Sequence, residues 1–380
     1  MSQSIARSTS VDFLRGLVLI VIAIDHNPQS ALAHFTPHAY AYFDAAEVFV
    51  FLGGYASAAA YCTMTAGGVA AQAQRRFLKR AVELYRAYLL TAGLMLLAGL
   101  AMLALRVHTA ALPYTDAPQL LARPLQTVLN IATLRSQPYL AAVLPMYILF
   151  GLCVPLVAPV ASRRPGAALL ASLTLWLSAP PLAHLLPSID PAGWSFNPFA
   201  WQLMFMLGML CRLRPVPIAF QASRAGLGLT WLALAVALVF AAYKLLIENQ
   251  PEPGYLKQHL TSLRVVSFIS IAWLVAQLSR IGWIDRLAAA LPPVVTVGRQ
   301  GLVCFVWGTL ISTVADTALH AAAPAFHTHT QAVAAALSTD LLTIAAVLGV
   351  AIAAAKLKAN RVMGMRLRNT ELPREIRTFG

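Results

Sequence analysis

Long apolar stretches separated by short polar segments recur along the whole of this 380-residue chain. About 20 apolar residues are enough to cross the hydrocarbon core of a bilayer as one helix. Only 11% of the residues are charged, whereas about a quarter are charged in a soluble domain. Because water cannot solvate such a surface, the sequence predicts an all-α polytopic membrane protein surrounded by lipid.

Ten segments meet the length and composition of a transmembrane helix. They lie near residues 11–33, 45–65, 87–107, 139–161, 167–187, 199–211, 226–247, 261–279, 300–318 and 332–355. The apolar segment 283–297 contains Pro292 and Pro293, so we expect an interfacial or re-entrant piece there. Apolar residues at helical spacing in 118–135 predict an amphipathic helix in the membrane interface.

The basic residues are distributed unevenly between the two sides of this predicted topology. The N-terminus, the loops on its side and the C-terminal tail hold 21 Lys and Arg residues, and the opposite loops hold four. The positive-inside rule therefore predicts that both termini are cytoplasmic, which requires an even number of helices. We divide the chain into one transmembrane domain, 1–355, and a basic cytoplasmic tail, 356–380, lying on anionic lipid. The net charge of +14 is spread in short clusters between apolar runs, so we expect no nucleic-acid partner.

The first predicted helix, VDFLRGLVLIVIAIDHNPQ, carries several ionisable residues. Such groups are costly inside a membrane and mark functional sites by default. Asp12 and Arg15 are three residues apart, so they share a helix face and can form a pair. Asp25 and His26 follow, with His26 about 16 Å further along the helix than Arg15. Arg15 is therefore expected at the cytoplasmic end and His26 near the external side.

The second predicted helix opens with two carboxylates, in FDAAEVFVFLGGYASAAAY. Asp44 and Glu47 are three apart and share a face at its external end. They can orient a histidine, bind a hydroxyl or titrate as a coupled pair. The simpler alternative is that they cap the helix and interact favourably with its dipole.

Polar residues near the ends of later helices are candidates for substrate binding. Asn197, Trp201 and Gln202 lie at the external end of the sixth helix, where Trp201 is alternatively an interface anchor. Lys257 approaches the eighth helix from outside, and Arg264 lies within it. Because a charge inside a span needs a partner or water, Arg264 is a candidate for binding a dicarboxylic acyl group or a glycan.

Other polar residues give weaker signals. Arg299 precedes the ninth helix on the cytoplasmic side, where it could meet an anionic donor or simply follow the positive-inside rule. His320, His327 and His329 crowd the last external loop without an acidic partner nearby, so we expect a solvated loop and no metal site. The cysteines show neither metal-ligand nor redox spacing; they are Cys62, Cys153, Cys211 and Cys304.

Arg15, ten intervening residues and His26 resemble the arginine–histidine signature of membrane acyltransferases of the acyltransferase-3 superfamily. The DFLRG and DAAEVFVFLGGY segments look most like OpgC-type proteins, which O-succinylate osmoregulated periplasmic glucans. The resemblance extends to LPMYILFGLCVP (144–155), FNPFAWQLMFMLG (196–208) and the stretch from Lys257 through Arg264. It thus covers most of the chain.

This resemblance implies a bacterial inner-membrane enzyme with a cytoplasmic acyl-CoA donor, succinyl-CoA in the namesake proteins, and a periplasmic glycan acceptor. It implies that residues 1–355 are an acyltransferase domain, that His26 is catalytic and that Arg15 matches the family arginine. The residues fit this chemistry, because histidine is a base that titrates near neutral pH. Asp44, Glu47 or Asp25 would hold its tautomer, and Arg15 would bind CoA phosphates with Asp12 beside it. Direct transfer and an acyl-histidine intermediate both stay open.

Two alternatives belong to other functional classes. A transporter or flippase would use the same Asp, His and Arg residues as a relay, but we find no inverted repeat. An assembly partner for a glycan synthase would leave the ionisable residues of the first two helices unexplained. We expect no permanently bound cofactor, and a homo-oligomer stays open.

Overall fold

The computed structural model describes residues 8–65, 70–107, 109, 111–248 and 254–371, which form helices and turns without a β-strand. The first α-helices are α1 Thr9–Asp25, α2 Pro37–Tyr40, α3 Ala45–Thr65, α4 Ala70–Ala104, α5 Ala117–Ala122, α6 Pro124–Ala132, α7 Val143–Arg163, α8 Pro165–Leu177 and α9 Ala179–Leu182. They are followed by α10 Pro198–Leu213, α11 Ile218–Ala222, α12 Arg224–Leu246, α13 Gly254–Gln258, α14 Ser262–Arg280, α15 Trp283–Ala290, α16 Pro292–Arg299, α17 Gly301–Ala322 and α18 His329–Glu371. Short 3-10 helices occupy Leu32–Phe35, Leu112–Thr115, Tyr139–Ala141, Ala183–Leu185 and Ala323–Ala325.

Seven helices within the described residues are long and apolar enough to cross a bilayer. They are α3, α4, α7, α12, α14, α17 and α18. The segment from α8 through Leu185 bends by 69° and makes an eighth if it is counted as one broken span. Helices α1 and α10 have 17 and 16 residues. The protein is therefore an all-helical, multi-pass membrane protein, and the number of ten spans stays a prediction.

The outer helices present large apolar side chains to their surroundings. On α12, Trp231, Leu232, Leu238 and Val239 are each at least 60% exposed. An apolar face of this size would be unstable in water, but it is what a lipid-facing helix requires.

Helices α1 and α16 cross with their backbones in contact. A methyl group added at Gly16 would overlap the carbonyl oxygen of Val294, and one added at Gly298 would overlap the carbonyl of Asp12. Only glycine allows two helices to approach this closely. The crossing places the segment that we expected to be interfacial or re-entrant directly against the first helix.

Helices α3 and α10 form a second crossing of the same type. A methyl group at Gly54 would overlap the carbonyl oxygen of Phe205, and one at Gly208 would overlap that of Phe51. The four glycines thus divide the centre of the protein into two tightly packed helix pairs.

Helix α1 ends at Asp25, eight residues before the predicted end at residue 33. The Asn27 side-chain oxygen accepts a hydrogen bond from the Gln29 N–H at 3.1 Å, and Pro28 has no N–H to continue the helix. A turn replaces the helix because the Asn side chain supplies the acceptor that the helix would have used. His26 is therefore the C-cap of α1 and not a residue inside it.

Helix α4 begins at Ala70, although the sequence predicted a start near residue 87. Its first turns bury Phe77, Ala81 and Leu84, while the basic residues between them are exposed. The predicted loop is therefore wrong at these charges, which form the solvated face of an amphipathic helix.

Three other predicted boundaries differ from the structure. The segment 283–297 forms two helices, α15 and α16, separated at Leu291. The predicted amphipathic helix at 118–135 is likewise split into α5 and α6, because Pro124 starts a new helix. Helix α18 continues through the predicted domain boundary at 355 as far as Glu371, and the tail residues 372–380 lie outside the described part.

Candidate active site

Helix α1 carries Arg15 near its start and His26 at its C-terminal cap. The rise of an α-helix places them about 16 Å apart along the axis. Arg15 is partly buried; its Nη2 lies against Gly301 at the start of α17, and its charge acts on the Tyr147 hydroxyl. The two residues thus occupy opposite ends of one helix.

Four charged side chains meet where α3 begins, and we call them the α3 charge cluster. Arg264 of α14 places Nε 2.6 Å from Glu47 Oε1 and Nη2 3.1 Å from Asp44 Oδ2. Lys257 of α13 places Nζ 2.7 Å from the same Asp44 oxygen. Glu47 is fully buried and Arg264 is 4% exposed. Because a buried charge is tolerated only when it is paired, the two carboxylates and the two cations depend on one another.

The carboxylates of the cluster also cap α3. Glu47 Oε2 accepts a hydrogen bond from the Asp44 backbone N–H at 3.0 Å, and Asp44 Oδ1 accepts one from the Ala46 N–H at 2.7 Å. These bonds satisfy N–H groups that a helix start leaves unpaired. The same two side chains therefore cap the helix, which was the simpler alternative, and form ion pairs that the sequence did not predict.

Helix α10 holds the segment that carries Lys257. Trp201 Nε1 donates to the Lys257 carbonyl oxygen at 3.0 Å, and the Asn197 backbone N–H donates to the Gln258 carbonyl oxygen at 3.2 Å. Asn197 Nδ2 lies 3.2 Å from His259 Nδ1. Burial lowers the pKa of His259, which keeps that ring neutral and able to accept the amide proton. Trp201 and Asn197, expected to bind substrate, hold the backbone that positions Lys257.

Gln202 connects α10 to α8. Its Nε2 donates to the Ser172 carbonyl oxygen at 2.8 Å, and its Oε1 accepts from the Ser172 hydroxyl at 2.6 Å. Both ends of the amide are used in this contact, so a membrane-embedded polar side chain is satisfied by the neighbouring helix.

His26 lies beside the α3 charge cluster and beside an aromatic ring. Its ring is within electrostatic range of Lys257 and Asp44, and its centroid is 6.4 Å from that of Tyr139. Its Nδ1 is buried and has no hydrogen-bond partner among the described residues. Among the described residues, no carboxylate therefore accepts the hydrogen bond that we expected this nitrogen to donate.

The buried amide of Asn27 stands next to His26 in the chain. It is 3% exposed, and its Nδ2 also has no hydrogen-bond partner among the described residues. Its oxygen is held by Gln29, as described above, so the amide orientation is fixed. An unpaired buried N–H group costs stability unless a ligand or water satisfies it.

Asp25 faces away from this arrangement. Its Oδ1 accepts a hydrogen bond from the Thr36 hydroxyl at 2.6 Å and lies 3.3 Å from His38 Nδ1. Adjacent residues at the end of a helix point in different directions, which explains why Asp25 contacts the loop after α1 and not the His26 ring.

Asp12 and Arg299 form an ion pair at the other end of α1. Arg299 Nε lies 3.3 Å from Asp12 Oδ2; the Asp12 side chain is 3% exposed and that of Arg299 is 49% exposed. The pair spans the glycine crossing between α1 and α16. Arg299 can therefore reach solvent at the end of α1 that also carries Arg15.

The sequence analysis missed several residues around the site. Asp316 and Asp340 are buried carboxylates that hold the loop after α1, by contacts to Gln29 Nε2 at 3.4 Å and to the Leu32 N–H at 2.9 Å. The cost of a charge within an apolar run could have identified both. Nothing in the local sequence marks Tyr139, because its position next to His26 is a product of folding.

The described residues contain no group of three or more His, Cys, Asp or Glu side chains able to hold a metal ion. Comparison with curated proteins and with solved structures gives no significant match. The family model described as OpgC protein matches residues 7–359, which include every candidate site residue. Family membership implies an enzyme of the acyltransferase type that modifies a glucan. The chain belongs to the OpgC protein family.

Proposed function

We propose that this protein is an inner-membrane O-acyltransferase that moves a succinyl group from cytoplasmic acyl-CoA to a hydroxyl of a periplasmic glucan. In this proposal ten helices span the membrane and both termini are cytoplasmic. The observation that carries it is the position of His26, at the opposite end of α1 from Arg15 and next to the α3 charge cluster. Its buried Nδ1 has no hydrogen-bond partner in the described part of the chain, as expected for an atom that acts on a substrate.

The donor would bind at the end of α1 that carries Arg15 and Arg299. Guanidinium groups form bidentate, charge-assisted hydrogen bonds with phosphates. Arg299 is half exposed and is oriented by Asp12, so it is accessible to the phosphates of CoA. The pantetheine arm would then extend along α1 and bring the thioester towards His26.

His26 would act as the base for the transfer. In direct transfer it accepts the proton of the acceptor hydroxyl while the hydroxyl oxygen attacks the thioester carbonyl. The C–S bond then breaks, and the leaving thiolate takes the proton from His26. In the other route His26 attacks the thioester carbonyl, the C–S bond breaks and the thiolate leaves. The acceptor hydroxyl then attacks the acyl-histidine, the C–N bond breaks, and the hydroxyl proton passes to the thiolate. In both routes negative charge develops on the carbonyl oxygen, and Asn27 Nδ2 and Lys257 are the nearby donors suited to stabilise it.

The test is mass spectrometry of periplasmic glucans from cells that express the wild-type protein, no protein or the His26→Ala variant. We expect the acyl mass increment in the first strain alone, and its mass identifies the group that is moved. His34→Ala is the matched control, because His34 is an exposed histidine on the same external loop. Acylated glucan in the His26→Ala strain, at comparable protein level in the membrane, would disprove the mechanism.

A further inference from the structure

Two exposed tyrosines extend from His26 to the external surface. The Tyr139 and Tyr114 ring centroids are 5.7 Å apart with an interplanar angle of 45°, and Tyr139 in turn contacts His26. Tyr139 is 56% exposed and Tyr114 is 60% exposed. Large aromatic side chains that remain this exposed while they pack against one another at an angle indicate a surface that binds a ligand.

The backbone beneath these rings is well anchored. Tyr114 lies in a 3-10 helix whose Leu112 and Thr115 are buried. Asp116 directly follows that helix and accepts a hydrogen bond from the Ser136 hydroxyl at 2.6 Å. This bond ties the Tyr114 segment to the segment that leads into Tyr139. The two rings are thus presented in a fixed arrangement, which reduces the entropy lost on binding.

Two buried polar atoms without described partners lie close in the chain to His26 and to Tyr139. Asn27 Nδ2 follows His26, and the buried Gln137 Oε1 lies two residues before Tyr139. Neither atom has a hydrogen-bond partner among the described residues. One is a donor and the other an acceptor, so a ligand rich in hydroxyl groups can satisfy both, because each hydroxyl donates and accepts.

We propose that Tyr114 and Tyr139 form a subsite that binds a sugar ring of the acceptor. A pyranose presents a face of C–H groups that packs on an aromatic ring, and a rim of hydroxyls that meets the unpaired polar atoms. The subsite rests on the proposed function, because it gives the glucan a path of rings that ends at His26. Chains of sugars fit this elongated arrangement, since one ring can lie on Tyr114 while the next approaches the histidine.

Tyrosines at a membrane surface can also be interface anchors. An anchor contacts lipid headgroups, whereas Tyr139 contacts charged and polar groups of the protein itself. Its ring contacts the His26 ring, and it is within electrostatic range of Lys257. Tyr243, near the external end of α12, is 48% exposed and serves as the comparison residue for the anchor role.

The experiment is saturation-transfer NMR with a glucose hexasaccharide and the purified full-length protein in nanodiscs. We expect the sugar C–H protons to receive magnetisation from the wild-type protein. Tyr114→Ala and Tyr139→Ala should each weaken binding about fivefold, the loss expected for one ring contact. Tyr139→Phe should retain most of the affinity because the ring is kept, and Tyr243→Ala should bind as the wild type does.

The outcomes separate the subsite from the proposed function. Absence of binding by the wild type, or unchanged binding by both alanine variants, would overturn the subsite. Reduced insertion of the alanine variants with undiminished sugar binding would also overturn it and make the tyrosines interface anchors. The binding assay does not depend on acyl transfer. If the hexasaccharide binds through these rings while cells show no acylated glucan, the subsite stands and the proposed function alone is refuted.

Discussion

Replacing Arg264 with methionine should destabilise the protein strongly. The substitution keeps an unbranched side chain of similar length and removes the guanidinium that contacts Glu47 and Asp44. Asp44 keeps Lys257 as a cationic partner, whereas the contact that remains to Glu47 among the described residues is the hydrogen bond from the Asp44 backbone N–H. The variant thus leaves a fully buried carboxylate without its counter-charge.

The size of the effect follows from burial. Breaking a buried ion pair by removing one partner costs about 3–5 kcal/mol. A chain of 380 residues has an unfolding entropy of roughly 0.8 kcal/mol/K, so the melting temperature should fall by about 5 °C. Lys257→Met is the matched control, because the Lys257 side chain is 37% exposed and solvent screening reduces its pair with Asp44 to about 1 kcal/mol or less.

The assay is thermal unfolding in one detergent of four proteins: the wild type, Arg264→Met, Glu47→Gln and the double variant. The double variant should regain most of the lost stability, because a glutamine amide oxygen still accepts the Asp44 N–H without carrying a charge. Equal melting temperatures for Arg264→Met and Lys257→Met would refute the reasoning, as would a double variant no more stable than Arg264→Met.

Two further predictions concern packing and pH. Gly54→Ala should prevent normal packing of α3 on α10, because its methyl group would overlap the Phe205 carbonyl. Gly93→Ala is the control, because that position has open space around it. The amount of folded protein that elutes from size exclusion in detergent should fall sharply for the first variant and stay at the wild-type level for the second. Burial raises the pKa of Asp116, opposed by the Ser136 hydrogen bond, so the wild-type loop is most stable when this carboxyl is protonated and loses that contribution as pH rises through the ordinary and then the raised pKa. Asp116→Asn keeps the hydrogen-bond acceptor and tolerates the left-handed backbone at φ 61°. At neutral pH its free energy of unfolding should exceed that of the wild type by no more than about 1 kcal/mol, and its melting temperature should be slightly higher. Both differences should disappear on acidification. A difference that grows at low pH would contradict the assignment.

The residues of the site could be predicted from the sequence better than their partners. Glu47 and Arg264 are each conspicuous because a charge in an apolar helix needs compensation. They are 217 residues apart in the chain, however, and only the packing of α14 against the start of α3 brings them together. The same holds for Trp201: the sequence predicts substrate binding or an interface anchor, whereas its hydrogen bond to the Lys257 backbone depends on how two distant segments meet.

The helix boundaries could be predicted from the sequence in some places and not in others. The early end of α1 follows from local chemistry, since Asn27 and Pro28 both disfavour a continuing helix. The early start of α4 does not, because exposed basic residues between apolar ones are compatible with a solvated loop until a partner helix is present. In α4 the burial of Phe77 and Leu84 against neighbouring helices favours the helix over the loop.

The glycine crossings described above also determine how the protein can move. Gly16 and Gly298 lock α1 to α16, and Gly54 and Gly208 lock α3 to α10, so neither pair can slide internally without its backbones colliding. His26 belongs to the first rigid unit and Glu47 to the second. We therefore expect any opening that admits a bulky acceptor to the histidine to separate the two units from each other and to leave each helix pair intact.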